Sequence, residues 1–486
     1  MSVERVLPRT LDYTDVLPLA VESKSRRRTF FPTNGNNFNS DGNNIIRIDL
    51  SADALLDTQH SYLRFTVAAV AQPMGIDPAG GHAFISRLRV EQSGTVLEDI
   101  QSYNKLMGAI VLPCQGTSEY DGIRTMTEGQ HAKFSSQNNA DPNPRAGAAA
   151  YAAAQTTALG FEAQGLATNG IDAVAAGAAN SVDICIPLTS GLLNCEKLVP
   201  LMLMSAPLTI EIELAQSAEA VSGVAGLTGI DFTNVRYIAN LVEVGNEVGQ
   251  QLRMLQEMSG GVLTLTGQTY RHFAGSIAAG DSATLINVPA RVKSMKSIFF
   301  NCPGHRVAGA TGPDLRCYDV GTGGHNNIDS FQFKIGSVTY PPTPVRCGFG
   351  TALALGAGGE AKVAGETLME LEKAWGNVGS RLGLGSKTRA LGFYRHPAVR
   401  AVPTAAGGAV LTSVLNAQRY APFGMDMEAF QRVAIESGVN TADRSLPITL
   451  ELTHGGAASV QSQCDVYVLA DALFYINSDG SMSVSV

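Results

Sequence analysis

The sequence predicts an all-β protein built as two consecutive β-sandwiches, and three observations carry that prediction. Segments of strict apolar/polar alternation recur along the chain, the signature of strands with one face in a core. One of them, PLTIEIEL (Pro207 to Leu214), returns as LPITLEL (Leu446 to Leu452) about 240 residues later, half the length of the chain. Other pairs of segments recur at that offset and in the same order, as an internal duplication requires.

A chain of 486 residues exceeds a typical single core, so two or more domains are expected. Hydrophobic residues make up 45%, enough to fill them, whereas charged residues make up only 16% and glycine reaches 51. So little charge suits either a surface buried against neighbours or a loop-rich β-protein. The net charge of −8 argues against a protein coated in nucleic acid over a broad surface. No apolar run reaches eighteen residues, so no transmembrane helix is expected, and MSVERVLPRTLDYTD lacks the pattern of a secretion signal. Cys114, Cys185, Cys195, Cys302, Cys317, Cys347 and Cys464 are odd in number and lack zinc-ligand spacing. They read as free, mostly buried thiols of a chain made in a reducing compartment.

Residues 1–44 read as an extended arm, rich in Asn, Gly and Pro and carrying the basic run Lys24 to Arg28. That run suits a solvated segment, or contact with a membrane surface, nucleic acid or a neighbouring subunit. Strands begin at IIRIDL, with Ile46, Ile48 and Leu50 on one face, and continue through SYLRFTVAAV. AFISRLRVEQSGTVLEDI reads as two strands joined by a turn at Gln92 to Gly94. In SYNKLMGAI, Tyr103, Leu106, Met107 and Ile110 form one helical stripe. From 114 to 180 small residues dominate without a period, which marks a long excursion with a function of its own.

Strands resume at SVDICIPL and run through PLTIEIEL to VRYIANLVEV. A helix follows with Val248, Leu252, Leu255 and Met258 on one stripe, stopped by Ser259 to Gly261. Residues 246–261 are therefore the linker between a first sandwich, 45–245, and a second, 262–486. The second opens with GVLTLTGQTYRHF and RVKSMKSIFF. IDSFQFKIGSVTYPPTPV reads as two strands hinged at Gly336, and ETLMELEKAW as a helix with Leu368, Leu371 and Trp375 on one face. GFYRHPAVR, MDMEAFQRVAI and LPITLEL precede the closing strand CDVYVLADALFYI.

RLRVEQSGTV before SYNKLMGAI parallels FQFKIGSVTY before LMELEKAW, with Gly94 and Gly336 at equivalent points. About eight strands per half, joined by a mix of short and very long connections, fit two eight-stranded jelly-roll sandwiches with short helices and long loops.

On these residues the chain resembles the double jelly-roll major capsid proteins of tailless icosahedral double-stranded DNA viruses. HAFISRLRVEQSGTVLEDIQSYNKL, FQFKIGSVTYPPTPV and the terminal ALFYINSDGSMSVSV look like those of small or mid-sized viruses of microbial eukaryotes. The resemblance runs from about Ile45 to the end of the chain. It implies a virion protein made in the host cytoplasm or a viral factory. Three copies would form a pseudo-hexagonal homotrimer that tiles an icosahedral shell with minor capsid and penton proteins. It also implies that the 114–180 excursion is an outer loop or a trimer clasp. By the same analogy Lys24, Arg26, Arg27 and Arg28 contact an inner membrane, a minor protein or the genome.

The alternatives are a β-sandwich adhesin or spike, and a β-sandwich carbohydrate-active enzyme. The enzyme requires a carboxylate pair across a cleft. Asp49, Glu211, Glu213, Glu451 and Asp465 lie on polar strand faces, where solvated or interface acids are expected. His272 beside Arg271 and His396 beside Arg395 read as structural histidines. GFGTALALGAGGEAKVAG lacks the Lys-Ser/Thr of a phosphate loop, and no G-x-S-x-G elbow occurs. No catalytic residue, cofactor or metal is expected.

Overall fold

The computed structural model describes residues 23–70, 74–76, 79–115, 127–128, 181–195, 197–223, 229–302, 328–347, 365–375, 397–402, 411–416, 422–428, 438–443, 447–455 and 461–486. The first sandwich is built from β1 (Ser23–Phe30), β2 (Ile45–Leu50), β3 (Leu55–Ala69), β4 (Ile85–Gln92), β5 (Thr95–Gln101), β6 (Val182–Ile186), β7 (Leu208–Leu214) and β8 (Ile230–Val244). The second uses β9 (Val262–Ile277), β10 (Ala283–Asn287), β11 (Met295–Asn301), β12 (Ile328–Ile335), β13 (Val338–Arg346), β14 (Phe423–Asp426), β15 (Ile448–His454) and β16 (Ser462–Asn477). A last strand, β17 (Met482–Ser485), pairs with β16.

The first sandwich has sheets ordered β1-β8-β3-β6 and β2-β7-β4-β5; the second has β9-β16-β11-β14 and β10-β15-β12-β13. Adding eight to each strand of the first order reproduces the second. The two opening segments therefore occupy one topological position, β7 and β15. In β7, Leu208, Ile210, Ile212 and Leu214 are buried and Thr209, Glu211 and Glu213 face outward. In β15, Ile448, Leu450 and Leu452 are buried in the same alternation. Each is a central strand, so one face has a core to fill and the other does not.

The hairpins β4–β5 and β12–β13 also correspond. Gln92 pairs with Thr95 and Ile335 with Val338, so each loop has two residues. Ser93 and Gly94 both have positive φ, 49° and 83°, whereas the second loop places Gly336 at φ 59° in its first position. Both solutions match the right-handed twist of the strands they join.

A helical segment α1 (residues 103–115) follows β5, with a π-helical stretch at Leu106–Val111. Its expected stripe of Tyr103, Leu106, Met107 and Ile110 is buried. The helix α3 (Gly365–Ala374) occupies the same place after β13. Leu371 is buried with Thr367 and Ala374, and Trp375 stacks on Phe299 with centroids 4.5 Å apart. Phe65, Phe84 and Phe232 meet in the first core, and Phe300, Phe331, Phe333 and Phe423 in the second. Cys114, Cys195, Cys302, Cys347 and Cys464 are buried and Cys185 is half-buried, none of them in a disulfide, and Cys317 lies outside the described residues.

Two expectations are corrected. Residues 23–30, counted with the arm, are a strand of the first sandwich, paired with β8 from Ser23↔Val244 to Phe30↔Tyr237. Apolar periodicity misses this strand because it lies at a sheet edge and is exposed on both faces from Ser23 to Arg28. Charged side chains on such an edge also discourage unwanted strand pairing. The linker helix α2 (Asn246–Met258) buries only part of its expected stripe: Val248 and Leu252 are half-buried, but Leu255 is 57% exposed and Met258 88%. Gln256 is buried instead, and its Nε2 donates to the Ile476 carbonyl at 3.0 Å. Ser259 to Gly261 do end this helix, with Gly260 and Gly261 at φ 80° and 86°.

Candidate assembly surfaces

The two sandwiches meet along a seam that converts polar residues of the first into buried partners of the second. β5 lies against β9 and β17, and α1 reaches β11. At the β4–β5 turn, the buried amide of Gln92 donates from Nε2 to the carbonyls of Ala206 and Gly480, each at 3.1 Å. Its Oε1 accepts from the Met482 amide at 2.6 Å. One side chain thus ties the turn of the first sandwich to the last hairpin of the second.

Glu98 on β5 is a buried carboxylate that organises the loop after β6. It accepts from Ser190 Oγ at 2.6 Å and from the amides of Gly191 and Leu192, each at 2.9 Å. The loop is thereby pressed onto β9. A Cβ on Gly191 would stand 2.7 Å from the Gln268 carbonyl oxygen, and one on Gly267 would collide with the Gly191 carbonyl. Backbone touches backbone here, which only glycine allows.

At the end of α1 nearest β5, Lys105 Nζ lies 3.3 Å from Asp465 Oδ2 on β16. Asp465 Oδ1 accepts from Gln463 Nε2 at 2.9 Å and lies 2.8 Å from His272 Nε2 on β9. Tyr467, two residues along β16, donates its hydroxyl to the Ser102 carbonyl at 3.0 Å. Burial pushes the Asp465 carboxyl up, but the His272 hydrogen bond and the Lys105 and His272 charges outweigh it and hold it below the ordinary range. Asp465 and His272, two of the acid and base candidates, therefore do come together. They do so inside the seam, where Asp465 is only 1% exposed.

The other candidates stay apart. Asp49 accepts from Thr209 Oγ1 at 2.7 Å. Glu211 is held by Arg47 at 2.6 Å and Arg89 at 3.6 Å. Glu451 holds the equivalent position in the second sandwich, yet its cross-strand neighbours are Leu285 and Gln332. Arg271 donates to the Arg291 carbonyl at 3.2 Å. His396, Arg395 and most of the 114–180 excursion lie outside the described residues. Among the described residues, no group of three or more His, Cys, Asp or Glu is placed to hold a metal ion, and no helix is long and apolar enough to cross a membrane.

The basic residues Lys24, Arg26, Arg27 and Arg28 are carried by β1. Lys24 stands opposite Glu243, and Arg26 Nη2 lies 2.7 Å from Glu243 Oε1. The Arg27 guanidinium lies over the Tyr62 ring at 5.9 Å and that of Arg28 over Phe30 at 4.9 Å. Sequence reasoning singled out this run but missed Gln92, Glu98, Lys105, Gly191 and Gly267. The one signal available was Glu98, an acid where the strand requires a buried side chain.

The two-sandwich architecture has solved counterparts. PBCV-1 VP54, fitted into a cryo-EM reconstruction of the virophage Sputnik, matches with a TM-score of 0.56 at 10% identity, over 98% of this chain and 99% of that one. The quasi-atomic model of the PBCV-1 virus capsid matches with a TM-score of 0.55 at 10% identity, over 98% and 99%. This chain has the double jelly-roll fold. The Faustovirus major capsid protein, at a TM-score of 0.53 and 9% identity, covers 96% of this double jelly roll and 92% of its own length. No family model matches the chain. No curated protein matches it by sequence.

Proposed function

We propose that this chain is a major capsid protein, a structural subunit whose homotrimers form pseudo-hexagonal capsomers in an icosahedral virion shell. The observation that carries the reading is the duplication: two sandwiches of one strand order are packed side by side in one chain. Three such chains present six similar units around a ring, a shape that tiles a closed surface through repeated heterologous contacts. The similar solved structures include a virus capsid and a major capsid protein, which supports the same reading. The role is structural rather than catalytic: Asp49 and Glu211 serve in cross-strand pairs and Asp465 in the seam. An adhesin or a glycan hydrolase accounts for one sandwich but not for a second of identical order.

In this reading the partners are other copies of the chain, then minor capsid and penton proteins. Synthesis takes place in the host cytoplasm or a viral factory. Lys24, Arg26, Arg27 and Arg28 lie on the inner face, near a membrane or the genome. Electron microscopy and mass measurement of the purified protein test the central claim. The expected particle has three chains and a hexagonal outline; a monomer that hydrolyses a glycan would sink the proposal.

A further inference from the structure

Two of the buried cysteines face each other across neighbouring strands of the second sandwich. Between β11 and β16 the register runs through Phe300↔Val466 to Asn301↔Asp465, so the next residues, Cys302 and Cys464, stand directly opposite. Their side chains are in hydrogen-bond contact. On its other flank Cys464 pairs with Gly275 of β9, which offers no side chain. Cys302 is 1% exposed and Cys464 0%, and both belong to the core that Phe300 fills with Phe331, Phe333 and Phe423. The buried thiol of Cys347 is bonded to Thr367 of α3 instead.

The fold does not call for thiols at this place. At the same end of the equivalent strands β3 and β8, the paired residues are Ala69 and Ile230. What two opposed sulfurs add is chemistry. Directly opposed residues of an antiparallel pair have Cα atoms about 4.5 or 5.5 Å apart, according to whether they exchange hydrogen bonds. A disulfide accepts Cα separations of about 4.4–6.8 Å, so either spacing can carry the bond.

We propose that Cys302 and Cys464 form a redox staple: thiols in the newly folded chain, which hydrogen peroxide joins into a disulfide between β11 and β16. One thiol attacks the peroxide O–O bond, which breaks to give a sulfenic acid and one water. The second thiol then attacks the sulfenic sulfur. The S–S bond forms as the S–O bond breaks, and the departing hydroxyl takes the thiol proton to leave as a second water. The two sulfurs give up two electrons, and the peroxide receives them.

The setting accounts for thiols that persist until an oxidant is present. Burial, the neighbouring Cys302 thiol and the Asp465 carboxylate all push the Cys464 thiol well above its ordinary range. A protonated, enclosed thiol is a poor nucleophile. The pair lies at the end of the β11–β16 ladder, where local opening costs least, so fraying of that end sets the rate. Once formed, the bond closes most of the second sandwich into one loop and stabilises it by restricting the unfolded chain. The staple does not depend on the capsomer reading; within that reading it acts on particles that have left the reducing compartment.

The test uses the full-length protein, purified under reductant, freed of it and treated with hydrogen peroxide. Mass spectrometry of a digest without reduction is expected to recover Cys302 and Cys464 in one linked peptide pair that is absent before treatment. The thermal midpoint is expected to rise by about 5–10 °C and to fall back when dithiothreitol is added. Cys302→Ser is expected to lose both effects, whereas Cys347→Ser keeps both. The wild-type digest needs no variant, so it decides the matter even where a serine in the core prevents folding. Recovery of Cys302 and Cys464 as free thiols, as sulfinic acids or linked to other cysteines overturns the proposal. A link that forms without raising the midpoint overturns the stapling role.

Discussion

Lys105 and Asp465 are separated by 360 residues of sequence and by 3.3 Å in the structure, ammonium against carboxylate across the seam of the two sandwiches. Replacing Asp465 with Asn leaves Lys105 and His272 facing a neutral amide in a buried setting. Removing one member of a buried ion pair costs about 3 kcal/mol. Urea denaturation of D465N should give a midpoint lowered accordingly, while D49N, on an exposed strand face, should stay close to wild type.

The same cluster sets a direction for acid stability. The folded Asp465 carboxyl titrates below its unfolded value, so its contribution is fully present above the unfolded pKa of about 3.9 and is lost as pH falls through the lower folded value. Stability measured from pH 6 down to 2 should decline over that window. The decline should be shallower in D465N, which has no such carboxyl to protonate.

Glu98 acts on the loop rather than on the other sandwich. Truncation to Ala strips the acceptor from Ser190 Oγ and from the Gly191 and Leu192 amides. An unsatisfied buried donor costs on the order of 1–3 kcal/mol, so E98A should be destabilised by at least that much. Hydrogen exchange should show the Gly191 and Leu192 amides losing protection before those of β7.

Gly267 and Gly365 give a paired test of the seam. A methyl on Gly267 meets the Gly191 carbonyl, whereas one on Gly365 meets nothing within 4 Å. G267A should force the sandwiches apart and lower the thermal midpoint strongly. G365A should be neutral or stabilising by about 0.5 kcal/mol through the unfolded state.

Glu211 should behave as a surface residue despite two arginine partners. Arg47 is half-exposed, and pairs of that kind contribute about 0.2–1 kcal/mol. E211Q should show a small loss at low salt that vanishes near 1 M, where screening acts within about 3 Å.

Much of the fold was legible because its signals are local. Alternation in PLTIEIEL and LPITLEL reports one buried face, and both segments proved to be β7 and β15, partners in the same topological place. Gly94 and Gly336 marked two-residue turns because such turns demand positive φ. Leu255 and Met258 misled for the complementary reason. Their spacing on α2 is helical, but which face the helix buries depended on a hydrogen bond from Gln256 to Ile476, 220 residues away. β1 escaped notice because an edge strand flanked by water has no apolar face to display.

Strands, turns and the duplication could be read from order and spacing, since a side chain's face and a turn's φ are set by its immediate neighbours. The seam could not. Gln92, Glu98 and Lys105 are ordinary polar residues until the second sandwich arrives to bury them. Their roles come from segments far apart in the chain, and only packing brings such segments together.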